Sequence, residues 1–362
     1  MRKYLPVIII ASGLFLPVVL AGQGNENGFN QKSLPGKAKI ISITGVGDIM
    51  PGSSFPSRRY LPPGDNPFVL FETAADSIST SDITFGNLEG SFLNHGEPFK
   101  KCRDTSICYL FRMPEKYAAI LPFAGFDIIS LANNHFGDFG WQGAIRTRSL
   151  LDSMDIRYAG PSDIPFSLFT RDSVKYGFCA FSTTAGSANM NKLEEAAEIV
   201  KMLDSQCDIV IVSFHGGAEG ADYQRVTRAT EYFYGEERGN VYEFAHRMID
   251  SGADIIFGHG PHVPRAVELF RDRIICYSLG NFFTYGRMNL SGPNGLSPAV
   301  RVETDSEGKF LSGRIIPFIQ GYDGYVKYDN RKRAILKIKE LTNLDFPDTP
   351  LEITDDGNII KK

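Results

Sequence analysis

Short apolar runs alternate along the chain with longer stretches of helical pattern. The runs span 40–46, 83–85, 127–131, 176–182, 208–214, 254–257 and 274–278, and most are rich in Ile, Val and Phe. Successive side chains of a strand point to opposite faces, so an unbroken apolar run marks a strand buried on both. Between the runs the pattern predicts helices near 67–80, 114–124, 141–154, 191–205 and 240–251. This alternation predicts an α/β domain, a central sheet with helices on both sides. After about residue 300 the rhythm changes. Residues 299–304 and 314–318 predict two late strands, and 328–341 a basic amphipathic helix. The last twenty residues are polar, with Gly and Pro breakers, and predict a peripheral tail. No internal repeat stands out.

The N-terminus has a different pattern. Arg2 and Lys3 precede an uncharged apolar stretch, Tyr4 to Leu20, and compact residues at Val19-Leu20-Ala21 predict cleavage before Gly22. Pro6 and Pro17 interrupt a stretch that is short for a spanning helix of roughly 20 residues. A signal peptide over 1–21 is therefore expected, with an uncleaved membrane anchor as the rival. Gln23 stands where a lipidated Cys would be, which argues against a lipid anchor. Residues 22–38 predict a flexible linker. The chain is thus expected to be exported, to a periplasm or the cell surface.

With 43% hydrophobic and 22% charged residues, the remaining chain has an ordinary globular balance. A net charge of −4 and no basic run give nucleic acid no electrostatic footprint. Of five cysteines, Cys102 and Cys108 lie close together in a polar loop and are placed to pair in an oxidising compartment. Cys179, Cys207 and Cys276 sit in or beside apolar runs and are expected as buried thiols.

The candidate chemistry lies where apolar runs end. Five runs lead into Gly-rich loops that carry metal-type ligands. ISITGVGDIMPG carries Asp48, and ITFGNLEG carries Asn87 and Glu89. IISLANNHFGDFG carries Asn133, Asn134, His135 and Asp138. IVIVSFHGGAEG carries His215 and Glu219, and IIFGHGPHVPR carries His259 and His262. Carboxyl ends of strands are where α/β sheets bind ligands. Singly, each residue has a plainer explanation: Asp48 as a turn or cap, one of Asn133 and Asn134 as a turn former, His135 as a structural histidine. His246 falls mid-helix and His95 in a polar loop, and neither is assigned a role. The agreement of five strand ends is what predicts a site. Carboxylates, imidazoles and an Asn oxygen fit one or two divalent ions (Mn, Zn, Fe or Mg) better than a structural zinc, which would use Cys.

At these residues the sequence resembles the CapA-type capsule-biosynthesis proteins, a family associated with poly-γ-glutamate synthesis and export and similar to the calcineurin-like metallophosphoesterases. GDIMPG, NLEGSF, SLANNHFGDFGWQG, HGGAEG, GHGPHVPR and YSLGNFF carry the resemblance over roughly residues 40–285. It implies a four-layer sandwich of mixed sheets flanked by helices over 39–320, with a C-terminal extension over 321–362. It implies Asp48, Glu89, Asn134, His215, His259 and His262 as metal ligands. His135 would protonate a leaving group, Asp138 would orient it, and Asn87, Asn133, Glu219 and Asn281 would line the site. Met50 stands where ordinary phosphoesterases have a His, and Asn-Leu-Glu where they have Gly-Asp. Gly216 replaces a frequent Trp and is expected to open the pocket wall.

Three functions fit these expectations. One is a metal-assisted hydrolase of a phosphoester or γ-glutamyl amide in capsule metabolism, working beside polymer synthase or export membrane proteins. Another is a non-catalytic accessory protein that binds an anionic polymer. The third is a phosphomonoesterase or nucleotidase acting on a small phosphoester.

Overall fold

Two sheets pack face to face, and the alternation within their strands explains why. In Ile209–His215, Ile209 and Ile211 point into the cluster shared by both sheets, while Val210, Val212 and Phe214 point to outer helices. In Ile41–Met50, Ile41 and Ile43 point inward, and Val46 and Ile49 outward. The structure is a computed structural model that describes residues 39–101 and 108–362. The expected leader, the linker and Cys102 lie outside the described residues.

The first sheet runs, in order, Leu351–Ile353, Asn358–Lys361, Phe310–Gln320, Leu296–Thr304, Ile41–Met50, Ile83–Leu88, Ile128–Ser130 and Arg157–Ala159. Asn281–Thr284 lies parallel to the end of Ile41–Met50, with Asp48 opposite Asn281. The second sheet runs Val267–Phe270, Arg273–Cys276, Ile255–His259, Ile209–His215, Val174–Ser182 and Phe166–Arg171. Both are mixed: the first is antiparallel from Leu351–Ile353 to Ile41–Met50 and parallel from there to Arg157–Ala159, and the second has a parallel centre with an antiparallel strand at each edge. Helices Phe68–Ile78 and Gly140–Ser153 cover one outer face, and Leu193–Asp204 and Val241–Asp250 the other. This is the expected four-layer α/β sandwich.

Aromatic rings from the two sheets meet at the middle of the sandwich. Phe85 stacks on Phe257 with centroids 5.2 Å apart and planes 9° from parallel. Gly45 leaves room for that pair, since a Cβ there would come within 2.4 Å of the Phe257 ring.

The C-terminal part departs from expectation. Val326–Tyr328 is a strand paired with Phe310–Gln320, so the predicted 328–341 helix begins only at Arg333 and runs to Asp345. Asp329 sets the break, accepting the Arg331 and Arg333 N–H groups. The predicted tail is instead a hairpin whose Asn358 and Ile359 pair with Arg314 and Gly313. Leu351, Ile353 and Ile359 enter the core between the sheets. Alternation at Leu351, Ile353 and Ile359 was masked by the polar Asp355-Asp356-Gly357 turn between them.

Candidate metal centre

Parallel strands bring the expected residues to one end of the sandwich. In the first sheet Asp48 stands opposite Asn87 and Asn281. In the second, His215 stands opposite His259. His259 bridges the sheets, its Nε2–H donating to the Val46 carbonyl at 3.1 Å.

Asn87 organises the acids. Its amide donates to Asp48 Oδ1 at 2.8 Å and to Glu89 Oε2 at 2.6 Å, using both protons. Its oxygen accepts from Asn133 Nδ2 at 3.0 Å. Asn133 in turn accepts the His135 and Phe136 N–H groups, which makes it the turn former of the Asn pair. His262 Nδ1–H donates to Asp48 Oδ2 at 2.8 Å. His262 has φ of 56°, and Asn281 and Asn294 both donate to its carbonyl at 3.3 Å. His135 Nδ1–H donates to Asp138 Oδ2 at 2.9 Å, a contact that fixes the direction of the ring. Phe111 packs on the imidazole with centroids 4.3 Å apart, and its N–H also binds Asp138 Oδ2.

Asp48, Glu89 and His259 have no exposed surface, and His215 almost none. Burial pushes the Glu89 carboxyl upward, but the His215, His262 and His135 imidazoles outweigh it and hold it below the usual range. Burial pushes His262 down, but its bond to Asp48 prevails and raises it to about 9. Burial lowers His259. Glu219 is driven up by burial but lowered on balance by Arg238 and the nearby histidines.

Among the described residues, no three His, Cys, Asp or Glu side chains are arranged to hold one ion. The donors are paired with one another instead. Yet Glu89 Oε1, Asn134 Oδ1, His215 Nε2 and His259 Nδ1 are buried and have no hydrogen-bond partner. Glu89 Oε1 and His215 Nε2 lie 3.3 Å apart without hydrogen-bond alignment. Buried polar atoms are nearly always satisfied. Two imidazoles, a carboxylate and an amide oxygen form the donor chemistry of a divalent ion, so the residues fit one.

Three features differ from expectation or lay outside it. Gly216 does not open the wall: a Cβ there would meet Met190 Sδ at 2.5 Å and the Arg238 carbonyl at 2.9 Å, so that space is already filled. Met50 is buried in the core between the first sheet and its outer helices, not turned to the cluster. Asn294, Lys100 and Arg238 reach the site without a motif to announce them. Lys100 donates to the Asn134 carbonyl at 3.0 Å and lies 3.7 Å from Asp138 Oδ1. His246 is structural, bound to Glu268 at 2.9 Å and stacked on Phe270.

The family described as bacterial capsule synthesis protein PGA_cap matches residues 42–285. The capsule biosynthesis protein CapA of Bacillus anthracis is 28% identical over 263 residues, covering 67% of this chain and 59% of that protein. The PGA biosynthesis protein CapA of Bacillus subtilis is 28% identical over 261 residues, covering 67% and 63%. The chain therefore spans about three fifths of the length of these relatives. Among solved structures, a putative 5'-nucleotidase from Staphylococcus aureus in complex with alpha-ketoglutarate aligns with a TM-score of 0.46 at 16% identity, over 84% of this chain and 58% of that one.

Proposed function

This chain belongs to the PGA_cap family of bacterial capsule synthesis proteins, and from that premise we propose that it is an exported, metal-dependent hydrolase acting in capsule or poly-γ-glutamate metabolism. One observation carries the reading: four buried polar atoms, Glu89 Oε1, Asn134 Oδ1, His215 Nε2 and His259 Nδ1, have no hydrogen-bond partner. They would hold the ion, with Asp48 and His262 completing the set. A bound divalent ion supplies Lewis acidity toward a phosphoryl or acyl oxygen.

The remaining steps belong to the chain. Asp138 holds the His135 Nδ1–H, which leaves Nε2 as the ring atom that can pass a proton to a leaving group. Phe111 shields that ring on one face. Asn87 keeps two carboxylates at fixed separation, so their charge faces one place. The substrate is an anionic polymer or a phosphoester, and the partners are the membrane proteins that make or move the polymer.

A second reading is a binding protein that keeps the centre without turnover. The burial of Met50 supports it, because the first-strand position that carries a His in ordinary phosphoesterases faces the core. Elemental analysis of the purified chain, followed by a panel of phosphoesters and γ-glutamyl amides with added manganese or zinc, separates the two. Bound metal with turnover supports the hydrolase. Bound metal with saturable polymer binding and no turnover supports the binding protein. A chain that retains no metal sinks both.

A further inference from the structure

Two buried arginines brace the loop that follows His215; the Nε of each is buried without an acceptor, but only Arg265 has both of its Nη groups engaged. Arg265 is fully buried and forked onto Glu231, with Nη1 and Nη2 each 2.8 Å from a carboxylate oxygen. Its Nη2 also donates to the Ala218 carbonyl, and Glu231 accepts the Ala218 N–H at 2.8 Å. That pair is a structural clamp in which both Nη groups are used and only Nε is left without an acceptor. Arg238 is 4% exposed, and its Nη1 lies 2.8 Å from Glu219 Oε1. Its Nε and Nη2 are buried without an acceptor. The backbone holds it beside the site, since the Gly217 N–H donates to the Arg238 carbonyl at 2.7 Å.

Glu219 connects this arginine to the centre. Its Oε2 is 4.0 Å from His262 Nε2, and His262 is bound to Asp48. The Glu219 side chain keeps 22% of its surface, whereas the arginine beneath keeps 4%. Gly217 and Gly220, with φ of 85° and 99°, flank it in the chain. A carboxylate thus covers a buried guanidinium that has donors to spare, at the edge of the cluster.

We infer that Arg238 is the anchor for an acidic group of the substrate, and that Glu219 is an internal stand-in displaced when that group binds. The assignment rests on reading the cluster as the substrate site. The ligand chemistry is an oxyanion, carboxylate or phosphate, because a guanidinium fork takes either in paired hydrogen bonds. Glu219 then lowers apparent affinity by the fraction of time it occupies the arginine.

Calorimetric titration of the full chain tests this with a γ-linked glutamate oligomer, the same oligomer amidated at its free carboxyl groups, and phenyl phosphate. Arg238→Ala is expected to weaken oxyanion binding by about tenfold or more. Glu219→Gln is expected to strengthen it about threefold, since the competitor loses its charge and keeps its shape. Circular dichroism establishes that each variant is folded. If Arg238→Ala does not fold, the sign of the Glu219→Gln effect decides: a stand-in gives a gain and a structural clamp a loss. Weaker binding in Glu219→Gln, or equal binding of the amidated oligomer, overturns the anchor. Phenyl phosphate binding alone, with the same two signs, keeps the anchor and removes the polymer reading. Binding abolished by Glu89→Ala but indifferent to Arg238 and Glu219 keeps the site and removes the anchor. Wild-type protein that binds neither oxyanion overturns both.

Discussion

Asn87 holds two buried carboxylates at once, and its own oxygen is held by Asn133. Removing the amide leaves Asp48 and Glu89, which have no exposed surface of their own, each short of a hydrogen bond. Hydrogen bonds to charged groups contribute roughly 1.5–3 kcal/mol each. Asn87→Ala is therefore expected to cost about 3–6 kcal/mol, measured by urea melts in chelator. A loss below about 0.5 kcal/mol would show that the bracket is not needed. His135 is tied to Asp138 through the nitrogen that cannot face a substrate. His135→Ala should lower turnover about 100-fold or more while metal content stays near wild type. Loss of the metal in that variant would make His135 a ligand instead of a proton donor.

At the scale of elements, the C-terminal hairpin is the part whose importance composition hides. Leu351, Ile353 and Ile359 are all at least nine-tenths buried between the sheets. Burying one such side chain contributes roughly 1.5–3 kcal/mol. A chain ending at Asp348 should be destabilised by on the order of 5 kcal/mol, with Ile315 and Ile335 uncovered. Thermal melts of the truncated chain check this, and an unchanged midpoint would mean the hairpin is an appendage after all. The loop at Gly216 teaches a similar lesson. Its lack of a side chain reads as an open wall in sequence, yet Met190 from a separate loop fills the place.

For the whole molecule, the end opposite the site sets a pH dependence. Asp254 accepts the Val210 N–H at 2.8 Å and pairs with Arg273 at 2.8 Å, close against the Gly308 turn of the other sheet. Burial pushes its carboxyl up from 3.8 to about 7, more than the Val210 N–H and Arg273 lower it. The folded state therefore holds this proton over a window in which the unfolded chain has released it. The stability from this group is fully present below about pH 4 and declines as pH rises to about 7. The slope has a ceiling of about 1.4 kcal/mol per pH unit. Relative to wild type, Asp254→Asn should gain stability steadily across that window, as read by denaturant melts at stepped pH. A difference that stays flat with pH would place the Asp254 carboxylate in its ionised form throughout.

How much was legible follows from the range of the forces involved. Strand cores such as 209–214 and helices such as 241–250 were readable because their period is local, set by where successive Cβ atoms point. The strand ends marked Asp48, Glu89, His215 and His259 for the same reason, since parallel strands share one carboxyl end. The partners were not readable. His262 meets Asp48 across 214 positions, and Asn133 meets Asn87 across 46. A hydrogen bond needs about 3 Å, and only the packing of the two sheets and their register brings such distant atoms that close. By itself, then, the sequence determined the central strands and the residues at their carboxyl ends, but not the C-terminal strands from Val326 onward. The tertiary structure alone decided which donors pair, which are left over, and that Arg238 lies among them.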